Sequence, residues 1–262
     1  MHSKQKQLQN RGYVEKGVES EFTTIVFDKK IELLESKIAT ERTLGARLLI
    51  ENKTKTTVDY LIKALTLEKK LYSKIEICNT LSELNEIAIK PLIKYLAKIG
   101  TNQHKTVPEK PFLKDSYPLP RDIASRTLVT IGKKAMPELL KELNSDNKSA
   151  LSELIDTIGH INYYSNTENI YEPLKSSYNR NKTEDLIKWK IIRAFSGVNE
   201  SYAFLKTLQD EMKNKRLENE INRSLRLIKL RKSQLPTLYK INAGFWAFSK
   251  VFLCLHCPLK LI

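Results

Sequence analysis

The chain has 262 residues, of which 41% are hydrophobic and 29% charged, a balance that excludes a disordered polymer. Its 8 Gly and 9 Pro are too few for an all-β protein, which needs a turn roughly every ten residues. The formal net charge of +15 turns attention to acidic partners, and only three Cys (Cys78, Cys254, Cys257) point to a reducing, cytoplasmic setting rather than a disulfide framework.

In chain order, residues 1–27 form an N-terminal extension whose start, "MHSKQKQLQN", lacks the apolar core of a secretory signal. Residues 28–38, "DKKIELLESKI", read as a first capping helix with Asp28 as its N-cap. From there helices come in pairs. "TLGARLLIE" precedes the stripe Val58/Leu61/Ile62/Leu65, and "SKIEICNTLSEL" precedes Ile89/Leu92/Ile93/Leu96. "RDIASRTLVTI" precedes Met136/Leu139/Leu140/Leu143, "SALSELIDTI" precedes Ile170/Pro173/Leu174, and "EDLIKWKIIRAF" precedes Phe204/Leu205/Leu208. The spacing i, i+3, i+4, i+7 puts each complete stripe on one helix face.

From Ile62 through Ile93, Leu140 and Leu174 to Leu205 the steps are 31, 47, 34 and 31 residues. The long step contains a Pro-rich insertion, 101–120, "TNQHKTVPEKPFLKDSYPLP". Gly132, Gly159 and Gly197 read as ends of first helices, and Pro91, Pro137 and Pro173 as starts of second ones. A helix pair of this length cannot bury its apolar face alone, so stacked pairs must share one core.

The stretch "TIGKKAMPELLKEL", 130–143, resembles the turn and second helix of a HEAT repeat, especially the short bacterial kind found in phycobilisome-lyase proteins. The likeness runs over about residues 40–212. It implies an all-α fold: an α-solenoid of about five HEAT-like hairpins over 28–232, with terminal capping helices and with the second helices lining a concave face. It also implies a binding scaffold more than a chemistry.

The residue types of a reactive site are sparse. None of the four His pairs with another His at i+3 or i+4, and "CLHC" at 254–257 stands alone, so no metal site is expected. No nucleophile elbow or phosphate loop occurs, so no catalytic residue, cofactor or small-molecule substrate is expected. Glu153 and Asp156 lie three apart on one helix and read as part of a solvated face, and Trp189 reads as core.

Binding candidates are of three kinds. The residue after each central apolar pair is a lysine (Lys63, Lys94, Lys141, Lys175, Lys206), which predicts a lysine row along the second helices. The helix 213–232 carries eight basic and two acidic residues, with Leu217, Ile221, Leu225 and Ile228 docking and Arg223, Arg226, Lys229 and Arg231 facing outward. The insertion supplies Phe112, Tyr117 and Arg121. The expected function is therefore a non-enzymatic scaffold binding a protein or peptide partner on its concave face. The alternatives are a nucleic-acid binder, in the manner of HEAT-like DNA glycosylases, using the lysine row, and membrane-surface association through the basic C-terminal region.

The tail 233–262 is apolar and basic, and "AGFWAFSKVFLCLHCPLKLI" is interrupted by Lys250, His256 and Pro258, short of the roughly 20 apolar residues of a spanning helix. Helical periodicity stops near Ser233, which favours an end unrelated to the repeats over a packed extension or a weak membrane anchor.

Overall fold

The computed structural model describes residues 2–22 and 24–241, an all-α, multi-helix domain with no strand among those residues. The helices are α1 (His2–Asn10), α2 (Phe27–Leu34), α3 (Ala39–Leu48), α4 (Lys55–Leu67), α5 (Leu71–Leu84), α6 (Glu86–Lys94) and α7 (Ile123–Ile131). They continue with α8 (Met136–Lys141), α9 (Lys148–Ser165), α10 (Tyr171–Arg180), α11 (Asp185–Ala194), α12 (Tyr202–Glu211) and α13 (Lys215–Ile241). Short 3-10 turns join several of them.

The helices pack in chain order along two rows. In the first, α3 lies on α5, α5 on α7, α7 on α9, α9 on α11 and α11 on α13. In the second, α2, α4, α6 and α8 follow one another, and α4, α6, α8 and α10 each cross to the next first-row helix. The apolar stripes explain this. Val58, Leu61, Leu65, Leu92, Leu96, Leu139, Leu143, Leu174 and Leu205 are all buried in one hydrophobic cluster running from Ile31 to Ile228. Fully burying one such side chain favours folding by about 1.5–3 kcal/mol, so the shared core dominates the stability of every hairpin.

Hydroxyls tie the first row together. Thr80 donates to the Ala46 carbonyl (2.9 Å), the Ser125 and Thr157 hydroxyls meet at 2.6 Å, and Ser224 donates to the Ile192 carbonyl (2.9 Å). Each is buried where an unmade bond would cost about 1–3 kcal/mol, so these groups hold the register of neighbouring helices.

Several sequence expectations need correction. The first capping helix starts at Phe27 with Val26 at the N-cap position, and Asp28 caps nothing. Pro91 lies inside α6, because that helix begins directly after Asn85, a residue in the left-handed region (φ 59°). Gly132 ends α7 at φ 77° as its spacing predicts, but Gly159 sits in the middle of α9. Helix α13 runs past Ser233 to Ile241. The rest of the tail, with Cys254, His256 and Cys257, lies outside the described residues. Among the described residues no helix is long and apolar enough to cross a membrane.

Candidate functional site

Three successive first-row helices each present two charged residues three apart, hence on one face. These are Glu153 and Asp156 on α9, Lys190 and Arg193 on α11, and Glu220 and Arg223 on α13. They interlock. The Lys190 ammonium is 2.6 Å from Glu153 Oε1 and 2.9 Å from Asp156 Oδ2, and Lys190 is 0% exposed. Arg223 donates to Glu220 Oε1 at 2.8 Å, and Arg193 reaches the same carboxylate at 3.4 Å. All six side chains are buried.

Glu153 and Asp156 thus do not lie on a solvated face: the following helix supplies a lysine between them, and a loop closes over it. Desolvation and the neighbouring Asp156 raise the Glu153 carboxyl above its ordinary range. Asp156 is lowered: burial opposes its charge, but Lys190 and Arg193 together outweigh it. Withdrawing each ion from water costs several kcal/mol, which the mutual attraction of the cluster must offset.

The covering loop is the insertion 101–120, which crosses this face as a strap. His104 meets the Trp189 ring edge-on (5.2 Å between centroids), while the Arg193 guanidinium lies 3.7 Å from the same ring's centroid. Arg216 donates to the Val107 carbonyl (3.3 Å) and approaches Glu109 (3.3 Å). Arg223 donates to the Lys114 and Ser116 carbonyls (3.2 and 2.6 Å), with Phe112 against its guanidinium. Arg226 pairs with Asp115 (2.7 Å), and the Tyr164 hydroxyl donates to the Tyr117 carbonyl (3.0 Å).

Tyr117 is the deep anchor. It is 2% exposed and rests where Gly159 leaves room: a Cβ there would lie 2.1 Å from the tyrosine hydroxyl oxygen. His160 and Tyr163 flank its ring. Burial raises the Tyr117 hydroxyl well above its ordinary pKa and pushes both His104 and His160 down to about 4. The strap does not satisfy everything around it. Glu153 Oε2, Asp156 Oδ1 and Arg223 Nε beneath it, and the Tyr117 hydroxyl and His104 Nδ1 of the insertion itself, are buried with no hydrogen-bond partner among the described residues.

The loop candidates therefore have different fates: Tyr117 is buried, Phe112 is half-buried against Arg223, and Arg121 is exposed beside the site. Of the end-helix candidates, Arg223 does not face outward. At 6% exposure it is drawn in by Glu220 one turn earlier and by the strap carbonyls. Arg231 is half-buried, donating to the Tyr163 carbonyl. Arg226 and Lys229 remain exposed, the latter near the Tyr202 ring.

The lysine row lies on α4, α6, α8, α10 and α12, and three of its five members stand beside a carboxylate. Lys63 pairs with Glu35 (2.9 Å), Lys141 with Glu138 (2.7 Å) and Lys175 with Glu172 (3.8 Å), while Lys206 donates to Gln209 (2.7 Å). Among the described residues Lys94 has no ion-pair partner. It lines a cleft of about 470 Å³ with Lys90, Lys98, Glu138 and Glu142.

The buried charges were within reach of sequence reasoning, since the i, i+3 pairs 153/156, 190/193 and 220/223 recur on helices one repeat apart. What a single helix could not show was that they face one another.

Fold and site define a multi-helix domain whose charged first-row face is covered by its own insertion. Comparison with protein-family models, curated proteins and solved structures finds no match to the chain. Among the described residues no group of three or more His, Cys, Asp or Glu is placed to hold a metal ion.

Proposed function

We propose that the chain is a HEAT-like α-solenoid of five hairpins, α3–α4 to α11–α12, bracketed by α2 and α13. Its function is that of a non-enzymatic scaffold in a reducing compartment. It binds a protein partner as an irregular segment, and the binding face is the first-row face of α9, α11 and α13 rather than the lysine-bearing second row. One observation carries this reading. The face already holds an irregular stretch of chain, 107–117, with bends at 109–110 and 114–116, through side chains that grip its main-chain carbonyls. Such contacts recognise a backbone in any sequence, and partial desolvation strengthens their charge-assisted bonds. The second row supports the same conclusion, because Lys63, Lys141 and Lys175 already stand beside carboxylates and offer less net charge to a polyanion.

A photo-cross-linking residue at Leu113 (78% exposed) tests this in cells, with Leu67 on α4 (70% exposed) as the control. The expected result is one discrete protein adduct at position 113, absent at 67 and lost when Arg216 and Arg226 are both changed to Glu. No adduct at 113, or adducts to nucleic acid alone, overturns it.

Nucleic-acid binding is a second reading with one observation in its favour, the cluster of Lys90, Lys94 and Lys98 around a single cleft. It requires salt-dependent retention of duplex DNA that Lys94→Glu weakens.

A further inference from the structure

We infer that the segment 107–117 is an intramolecular mimic of the partner. The partner is then an irregular, proline-containing peptide carrying a carboxylate followed two residues later by an aromatic side chain. This rests on the scaffold reading above and adds the identity of the ligand class and the state of the groove without it.

The strap is held in the manner of a bound peptide. Its carbonyls at Val107, Lys114 and Ser116 accept bonds from arginines of α13, which fixes direction and register but not sequence. Selectivity comes from two side chains. Asp115 meets Arg226 at 2.7 Å, and Tyr117 fills the hole that Gly159 leaves. Pro108 and Pro111 within the stretch, and Pro118 and Pro120 just beyond it, each fix one backbone torsion, so less conformational entropy is lost when it docks.

The strap is also poorly buried for a core element. Between Val107 and Tyr117 its side chains are exposed or half-exposed, and the Asp115–Arg226 pair is about half exposed on both sides. Beneath it, Arg223 Nε has no hydrogen-bond partner among the described residues. A segment that leaves such a group unsatisfied is bettered by a ligand that supplies an acceptor there. Tethering gives the strap an effective concentration on the order of millimolar, so a free peptide of equal intrinsic affinity competes weakly until the strap is loosened.

The test uses the full chain and a fluorescent synthetic peptide of residues 105–119, followed by anisotropy. In the opened variant, Asp115→Arg with Tyr117→Ala, the strap loses its selective contacts while every groove residue is kept. The expected result is binding at least about tenfold tighter than to the unaltered chain. A peptide bearing the same two substitutions should not bind. Asp115→Arg alone touches no core residue and serves if the double variant does not unfold cooperatively. The charge-reversed combination, Arg226→Asp on the protein and Asp115→Arg in both strap and peptide, should return binding to the level of the unaltered pair. Equal binding to the unaltered and opened chains, or no binding to an opened chain that still unfolds cooperatively, overturns the mimic. If position 113 cross-links a protein in cells while the peptide does not bind the opened chain, the mimic fails and the scaffold reading stands. If no adduct forms, it is the scaffold reading that fails.

Discussion

Gly159 shows how one missing methyl group positions the strap. A helix interior disfavours glycine by roughly 1 kcal/mol relative to alanine, so glycine at the centre of α9 needs a reason, and Tyr117 is that reason. We predict that Gly159→Ala destabilises the protein by about 1–3 kcal/mol, despite its better helix propensity, because the added Cβ meets the buried phenol. In a Tyr117→Ala background the same change should cost less, the remaining close contact being the Ala194 Cβ at 2.9 Å, a coupling that urea unfolding of the four proteins measures directly. From sequence alone Gly159 looks like Gly132, since both follow an apolar run. Only Gly132 has the left-handed backbone of a helix end. What separates the two is a tyrosine forty-two positions upstream, and no local pattern carries that information.

Between elements, the helices and their apolar stripes were readable because burial imposes a 3.6-residue period on each segment by itself. The partners of charged side chains were not, because they depend on which faces meet after stacking. Glu153 and Asp156 look like any solvated pair until α11 brings Lys190 between them, and Arg223 looks outward-facing until the strap's carbonyls lie over it. The interlock makes α9 and α11 energetically dependent on one another. Lys190→Met should therefore destabilise by roughly 3–5 kcal/mol, since it leaves two buried carboxylates without their cation. Adding Glu153→Leu and Asp156→Leu should recover most of that loss, because a well-packed apolar trio avoids the desolvation cost altogether. Urea titrations of the single and triple variants decide it. A triple variant as unstable as the single one would mean that the cluster does more for α9–α11 packing than charge compensation alone.

Across the chain as a whole, the net charge of +15 lies outside the buried cluster, where Lys190, Arg193 and Arg223 are balanced by Glu153, Asp156 and Glu220. The cluster matters for how stability depends on pH, not for the charge the surface offers a polyanion. Stability should consequently respond to pH through what is buried beside the strap. His104 and His160 are both held neutral, with pKa values pushed to about 4 by burial, against an ordinary value of 6.5. Between those two values the unfolded chain binds protons that the folded chain refuses. Their contribution is therefore complete above pH 6.5 and is lost as the pH falls towards 4. Glu153 and Asp122, both raised by desolvation, work in the opposite sense: they take up protons more readily when folded, so their effect weakens as the pH rises through their folded values. Two imidazoles thus pull against two carboxyls, and the imidazoles act between about pH 4 and pH 6.5. We predict that the melting temperature falls between about pH 7 and about pH 5, and that replacing both His104 and His160 with Gln abolishes the fall. With the imidazoles gone, the carboxyls should raise the melting temperature slightly as the pH drops. Calorimetry of the two proteins across that range checks the sign, and an unchanged slope in the double variant would move the pH response away from the strap. Because both histidines touch strap or strap-facing residues, the same acid shift should also loosen residues 107–117, which makes mildly acidic buffer a way to open the groove without any mutation.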